Sequence, residues 1–388
     1  MMTMNSNLTR MIRGLLTAGV ALGWLGPAGA QSQTAGLPDA GLMVVYGVDA
    51  RSREGDTDYR ERIFISVPAD LRDRLYVRVF DPDVSGDHDF LYGSAANAKT
   101  VFRVHGGDGA LSGVERPQPV RNGARADRVK RSELALVGPG EVLREKTFGP
   151  APDLNDEWVS LGAIRARQGE VIDGQVWFRL DVVGIGGNDG NGFLVDVSTA
   201  RDRSRPPEGL RMVSYDPTIR WPGGDHGTRL NLTHAGGPLT VQNFDGANAD
   251  LRLNLMLSDI RLPASGQDVW ASGAAETDED ILALTLKGGF EVPNDVTLRV
   301  FDGDGIAVAL DVPPYQAPNP ERPSVDFTAT PLADCSSVAF DAGASRGSAL
   351  VDYFWDFGDG RSSTEAVYVH SYAQPGRYDA TLRLIEPG

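Results

Sequence analysis

The sequence predicts an all-β protein built from tandem β-sandwich domains. Three observations carry that prediction. Short apolar stretches alternate with a period of two, and no stretch sustains a period of 3.6 for three turns. The 388 residues include 46 glycines and 24 prolines, which supply many turns. The most specific stretch, Tyr353-Phe354-Trp355-Asp356-Phe357-Gly358-Asp359-Gly360, is an alternating aromatic strand that runs into a Gly-Asp-Gly turn. Hydrophobic residues at 41% and aromatics at 8% suit folded domains, and the length allows two or three cores.

Residues 1–30 have the pattern of a signal peptide. Arg10 and Arg13 precede a short apolar run, Leu15 to Leu25, and Ala28-Gly29-Ala30 is a small-x-small cleavage pattern. The run is too short for a comfortable membrane span, so no transmembrane segment is expected in the mature chain. The expected location is secreted: extracellular, cell surface or periplasm.

Residues 31–205 are expected to form one β-sandwich. Leu42–Val48 is a first apolar run; Ile63, Ile65 and Val67 alternate, as do Leu75, Val77 and Val79. Val101–Val104 and Trp158–Leu161 continue the series. The longest strand signal is Gln175 to Val183, with Val176, Phe178 and Leu180 on one face; Phe193, Val195 and Val197 close the set. Arg116 to Arg131 carries six basic residues and is read as a solvated surface loop, the alternative being contact with an anionic polymer such as acidic polysaccharide. Arg201–Glu208 reads as a linker. A second sandwich is expected over 206–312, with strands at Arg229–Leu232, Leu239–Gln242, Leu251–Leu257, Ile281–Leu286 and Asp295–Phe301. Residues 313–322 form a Pro-rich linker. Val77-Arg78-Val79-Phe80-Asp81-Pro82-Asp83 is echoed by Leu298-Arg299-Val300-Phe301-Asp302-Gly303-Asp304, which suggests two related sandwiches.

In the last segment, Val325–Ala329 and Val338–Asp341 are short strands that precede the aromatic one. His370-Ser371-Tyr372, Pro375-Gly376-Arg377-Tyr378 and the alternating Ala380, Leu382 and Leu384 follow it. Together, residues 323–388 resemble a polycystic-kidney-disease (PKD) domain, an immunoglobulin-like β-sandwich. The resemblance implies an extracellular spacer or binding module, with His370 structural and with Asp356 and Asp359 holding the turn. It also implies one more edge strand after the last one here, so the natural protein is expected to extend beyond Gly388. Segments 77–109 and 176–197 resemble parts of large, uncharacterised bacterial secreted proteins, which brings no activity.

The formal net charge of −16 argues against nucleic acid as a partner, since a binder of phosphate backbone needs a basic surface. Cys335 is alone, so no intramolecular disulfide forms; it reads as a small core residue, the alternative being a reactive thiol.

The candidate chemistry is calcium. Asp81, Asp83, Ser85, Asp87 and Asp89 place oxygen donors close together around Gly86, as a loop that binds a hard cation requires. Tyr92 stands where an EF-hand would place its bidentate Glu, so the loop is not an EF-hand. Asn188, Asp189 and Asn191, in the glycine-rich 184–192 segment, are expected to complete the site, and Asp302 and Asp304 form a weaker version of it. The alternative for the 81–89 loop is an acidic surface turn, and for 184–192 a flexible glycine-rich turn. Asp225-His226-Gly227-Thr228 is similar to the His-Gly-Thr of subtilisin-like proteases, but no matching nucleophile segment exists. No Gly-x-Ser-x-Gly elbow and no His-Glu-x-x-His helix is present. The expected function is therefore a non-catalytic secreted or cell-surface modular protein. It would act in adhesion or scaffolding, with calcium stabilisation and with a polysaccharide or an extracellular or envelope protein as partner. The alternative is the accessory region of a larger secreted hydrolase.

Overall fold

The structure, a computed structural model, describes residues 41–50, 59–125, 138–220, 227–312 and 327–385, apart from 235, 247–248, 256–258, 280, 289–294, 335, 344 and 346–351. The signal-peptide pattern, the Pro-rich linker, His226 and Cys335 lie outside the described residues. Two compact units emerge, one over residues 35–318 and one that includes 319–388.

Among the described residues, the larger unit has twenty strands. The first nine are β1 Leu42–Tyr46, β2 Arg60–Pro68, β3 Arg74–Phe80, β4 Lys99–Gly106, β5 Glu141–Phe148, β6 Trp158–Arg165, β7 Glu170–Ile172, β8 Gln175–Gly186 and β9 Gly190–Ser198. After these come β10 Arg211–Ser214, β11 Thr218–Arg220, β12 Gly227–Thr233, β13 Gly237–Phe244, β14 Ala249–Asn254 and β15 Asp259–Leu262. The set ends with β16 Trp270–Thr277, β17 Ile281–Gly288, β18 Val296–Asp302, β19 Ala307–Val308 and β20 Leu310–Asp311. One sheet runs β16-β13-β18-β11-β1-β9-β3-β6, with β19 beside β18. The other runs β15-β14-β17-β12-β20-β10-β2-β8-β4-β5, with β7 beside β8. Every pairing is antiparallel, and many join strands far apart in the chain, such as β1 with β9 and β2 with β8.

The alternating residues meet in one core. Ile63, Ile65, Leu75, Val77, Phe178, Leu180, Phe193 and Val195 share a hydrophobic cluster with Leu239, Val241, Leu284, Leu298 and Val300. The expected boundary at 205/206 therefore does not separate two bodies. It does separate two blocks of strands, which fuse edge to edge through β1–β11 in one sheet and β2–β10 in the other. Open sheet edges are costly to leave unpaired, and each block covers the other's edges. The Arg201–Glu208 stretch is the crossover from β9 in one sheet to β10 in the other, folded back so that Thr199 N–H donates to the Arg205 carbonyl. Asp173 and Gly174, both with positive φ, make the two-residue turn from β7 to β8. β5 and β16 were not legible in the sequence: Glu141–Phe148 has no buried residue, and Trp270–Thr277 has only Trp270 and Gly273 buried.

The smaller unit is a two-sheet sandwich. Strands β21 Thr328–Pro331, β22 Ser337–Asp341 and β25 Val367–Ser371 form one sheet in that order; β24 Ser362–Ser363, β23 Asp352–Asp356 and β26 Thr381–Ile385 form the other. Trp355 and Phe357 are fully buried, with Tyr353 packed beside them, against Phe340, Tyr372 and Leu382. Gly358 and Gly360 have φ of 77° and 87°, values that favour glycine. Asp356 Oδ1 accepts from Gly358 N–H and Asp359 Oδ1 from Arg361 N–H, so both carboxylates brace this turn. His370 stacks on Phe357 with ring centroids 4.2 Å apart.

Candidate metal centre

Strand β3 ends at Phe80, and its pairing with β9 (Phe80 opposite Leu194) sets the loop 81–89 against the start of β9. Asp81 takes φ 50°, a left-handed conformation that Asp tolerates better than most residues, and donates its N–H to the Glu157 carbonyl. A third segment, 151–157, closes over the loop. Ala151 N–H donates to Asp83 Oδ2 at 2.8 Å, and Ser85 Oγ lies 2.8 Å from Asn155 Oδ1. Phe90 and Gly190 exchange backbone hydrogen bonds, which fastens the loop's far end.

The ten residues expected to bind calcium fall into three groups. Asp81, Asp83 and Asn191 are fully buried, and both Asp81 oxygens, Asp83 Oδ1 and Asn191 Oδ1 have no hydrogen-bond partner among the described residues. Four others brace the loops. Asp89 Oδ2 accepts from Ser85 and Gly86 N–H, and its Oδ1 from Gly192 N–H. Asp189 Oδ1 accepts from Tyr92 N–H and its Oδ2 from Asn97 N–H, while Asn188 Oδ1 accepts from the Asn97 amide. Ser85 Oγ sits 2.5 Å from Asp83 Oδ2. The remaining three stand apart: Asp87 is exposed, Asp302 Oδ1 accepts from Asp304 and Ile306 N–H, and Asp304 is exposed.

Electrostatics at the centre is strained. Burial pushes the Asp81 carboxyl up to about 8, reinforced by the charges of Asp89, Asp83 and Asp156 and partly offset by the nearby Asp156 backbone N–H dipole. Burial pushes Asp89 up to about 6 against the opposing backbone N–H bonds from Gly86, Gly192 and Ser85. A buried carboxylate without a partner is among the least favourable arrangements in a protein, and a cation removes that penalty.

Two participants were not singled out in the sequence. Asp81, His88 and Asp156 can place one ligand atom each within 4.8 Å of one another, and His88 Nε2 lies 2.8 Å from Asp156 Oδ1. Asp156 lies far along the chain from the loop, and only the folded sheet brings it near. Its one local sign is the Asn155-Asp156 turn doublet, where Asp156 has φ 62°.

Among the described residues, no helix is long and apolar enough to cross a membrane. No curated protein matches the chain. A family model described as PKD domain matches residues 320–386. PKD domains typically serve outside the cell as adhesion or structural modules. With its two three-stranded sheets and its Trp355–Phe357 core, the smaller unit of this chain carries a PKD domain.

Proposed function

We propose that the chain acts outside the cytoplasm as a non-catalytic structural and adhesive protein, whose larger sandwich is locked by a calcium ion. The observation that carries the calcium reading is the set of buried oxygens on Asp81, Asp83 and Asn191 that lack hydrogen-bond partners among the described residues. Calcium takes six to eight oxygen ligands with flexible geometry, so water and backbone carbonyls can complete a set seeded by these side chains. Bound there, the ion would tie the end of β3 to the start of β9 and so rigidify one end of the sandwich. The PKD domain supports the extracellular and adhesive part of the reading.

His88 favours a second reading. A nitrogen donor beside Asp81 and Asp156 suits a transition ion better than calcium. The test is thermal unfolding of the full chain with EDTA, with millimolar calcium, and with micromolar zinc or manganese, for wild type and for Asp81→Asn/Asp83→Asn. A calcium-dependent rise in melting temperature that the variant loses supports the leading reading. A rise with zinc or manganese alone, lost in His88→Ala, supports the second. No response to any of these ions overturns both.

A further inference from the structure

In a chain of net charge −16, one cavity of about 700 Å³ is lined by six arginines: Arg60, Arg62, Arg116, Arg121, Arg179 and Arg299. Three carboxylates, Glu115, Asp181 and Asp216, line it as well, so positive charge is in excess. The elements explain the gathering. Arg62 pairs across the sheet with Asp181, and Phe64 with Arg179, so Arg60, Arg62, Arg179 and Asp181 share one face of β2 and β8. That face is opposite the one carrying Ile63, Ile65 and Leu180 into the core. Arg116 and Arg121 come from the loop expected to be merely solvated.

Within its described part, that loop is anchored at Val120, Gly123 and Ala124. Val120 and the Gln242 side chain exchange hydrogen bonds, at 2.9 Å from Val120 N–H and 2.5 Å to its carbonyl. Gly123 N–H donates to the Trp270 carbonyl, and Trp270 N–H to Ala124. At the cavity's back, Arg179 is fixed: it donates to Asp181 Oδ1 at 2.9 Å and to the carbonyls of Ala110 and Pro139. Arg299 is 3.4 Å from Asp216 and lies over the Trp270 ring. Among the described residues, neither Arg62 nor Arg121 forms an ion pair with a carboxylate, unlike Arg179 and Arg299, so these two are left to meet a ligand.

We propose that this cavity binds an acidic oligosaccharide, whose carboxylate or sulfate groups are gripped by Arg62 and Arg121 while Arg179 and Arg299 form a fixed positive wall. Guanidinium forks match planar or tetrahedral oxyanions with two parallel hydrogen bonds each. The space takes a ligand of about two or three sugar rings, and Pro117, Pro119 and Pro139 offer apolar surface to the rings' C–H faces. Crowding of like charge gives independent support: burial, and then the charge of Arg62, hold the Arg60 guanidinium below its ordinary range, with Arg179 and Arg103 adding to the effect against Asp181. An anion in the cavity relieves that repulsion. A nucleic acid fits less well, since no aromatic ring lines the cavity for base stacking. The site names a partner class for the adhesive reading above, but needs no metal.

The test is calorimetric titration of the full chain with a galacturonate trimer, a sulfated chondroitin tetrasaccharide, a neutral xylose trimer and inorganic phosphate, each with calcium and with EDTA. Binding of either acidic oligosaccharide is expected, weakening more than about tenfold between 20 mM and 500 mM salt. In Arg62→Gln/Arg121→Gln it should fall at least tenfold while the melting temperature stays within a few degrees. The carboxylated and sulfated arms tell which group is preferred. Equal binding by the variant, no binding of either acidic sugar, or phosphate binding as strong as the sugars overturns the proposal. Binding that persists in EDTA separates this site from the metal centre, whose failure would show only in the melting response to calcium.

Discussion

The Asn191 side-chain amide donates to the Pro82 carbonyl at 2.8 Å and lies 3.2 Å from Thr100 Oγ1, so its Nδ2 is committed and its Oδ1 is left as a buried, open acceptor. One residue of β9 thus holds the acidic loop in place and presents an oxygen beside it.

Asn191→Asp separates those two roles. It removes the amide donor and adds a negative charge near Asp81 and Asp83. In EDTA the variant should be less stable than wild type by about 1–3 kcal/mol, from the lost hydrogen bond and like-charge repulsion. Its gain on adding calcium should exceed the wild-type gain, because an added carboxylate strengthens a hard-cation site. Urea unfolding with and without calcium measures both; a smaller calcium gain than wild type would count against Asn191 as a ligand.

Glu170 ties the 107–112 loop to the sandwich. Its Oε2 accepts from Leu111 and Ser112 N–H at 2.6 and 3.0 Å, and its Oε1 meets the Ser112 hydroxyl. Burial alone would raise this carboxyl, but these bonds outweigh it and hold it below its usual range. A lowered carboxyl stabilises the fold above its unfolded value of about 4.3 and loses that contribution as pH falls through the folded value. Glu170→Gln should therefore cost about 1–3 kcal/mol at pH 7. The gap between wild type and variant should narrow as pH drops from 6 to 3, read as the midpoint of urea unfolding at each pH.

Glu61 of β2 joins the two strand blocks, since its Oε1 accepts from the buried Thr218 N–H of β11 at 2.7 Å. Glu61→Ala strands that donor and should cost about 1–3 kcal/mol. Because the blocks share one core, hydrogen exchange in β8 and in β17 should accelerate together in the variant. Loosening of one block alone would show that the two unfold separately.

In the PKD domain, Trp355 is fully buried and its Nε1 donates to the Glu365 carbonyl at 2.8 Å. Trp355→Ala should destabilise this domain by about 3–5 kcal/mol. Exchange protection should be lost across residues 352–385, while β2 and β8 stay protected. Retained protection in 352–385 would contradict the central place of the indole.

The sequence alone determined the all-β class, the alternating core faces of β2, β3, β8 and β9, and the PKD domain, because these depend on residues close together in the chain. The Trp355-Asp356-Phe357-Gly358 pattern states both a buried face and the turn that ends it. The acidic stretch 81–89 was equally visible as a cluster of oxygen donors. Only the tertiary structure decided which donors remain open. Asp89 and Asp189 look the same as Asp81 in sequence, yet their oxygens are taken up by backbone N–H groups from other loops. Asp156 and the meeting of the Arg116–Arg121 loop with Arg60, Arg62, Arg179 and Arg299 were out of reach because the tertiary fold, not local spacing, brings them together. The two sandwiches merged into one for a similar reason. Alternation shows which face of a strand is buried, but hydrogen bonding along its edges decides its neighbours, and edge bonds leave no trace in side-chain periodicity.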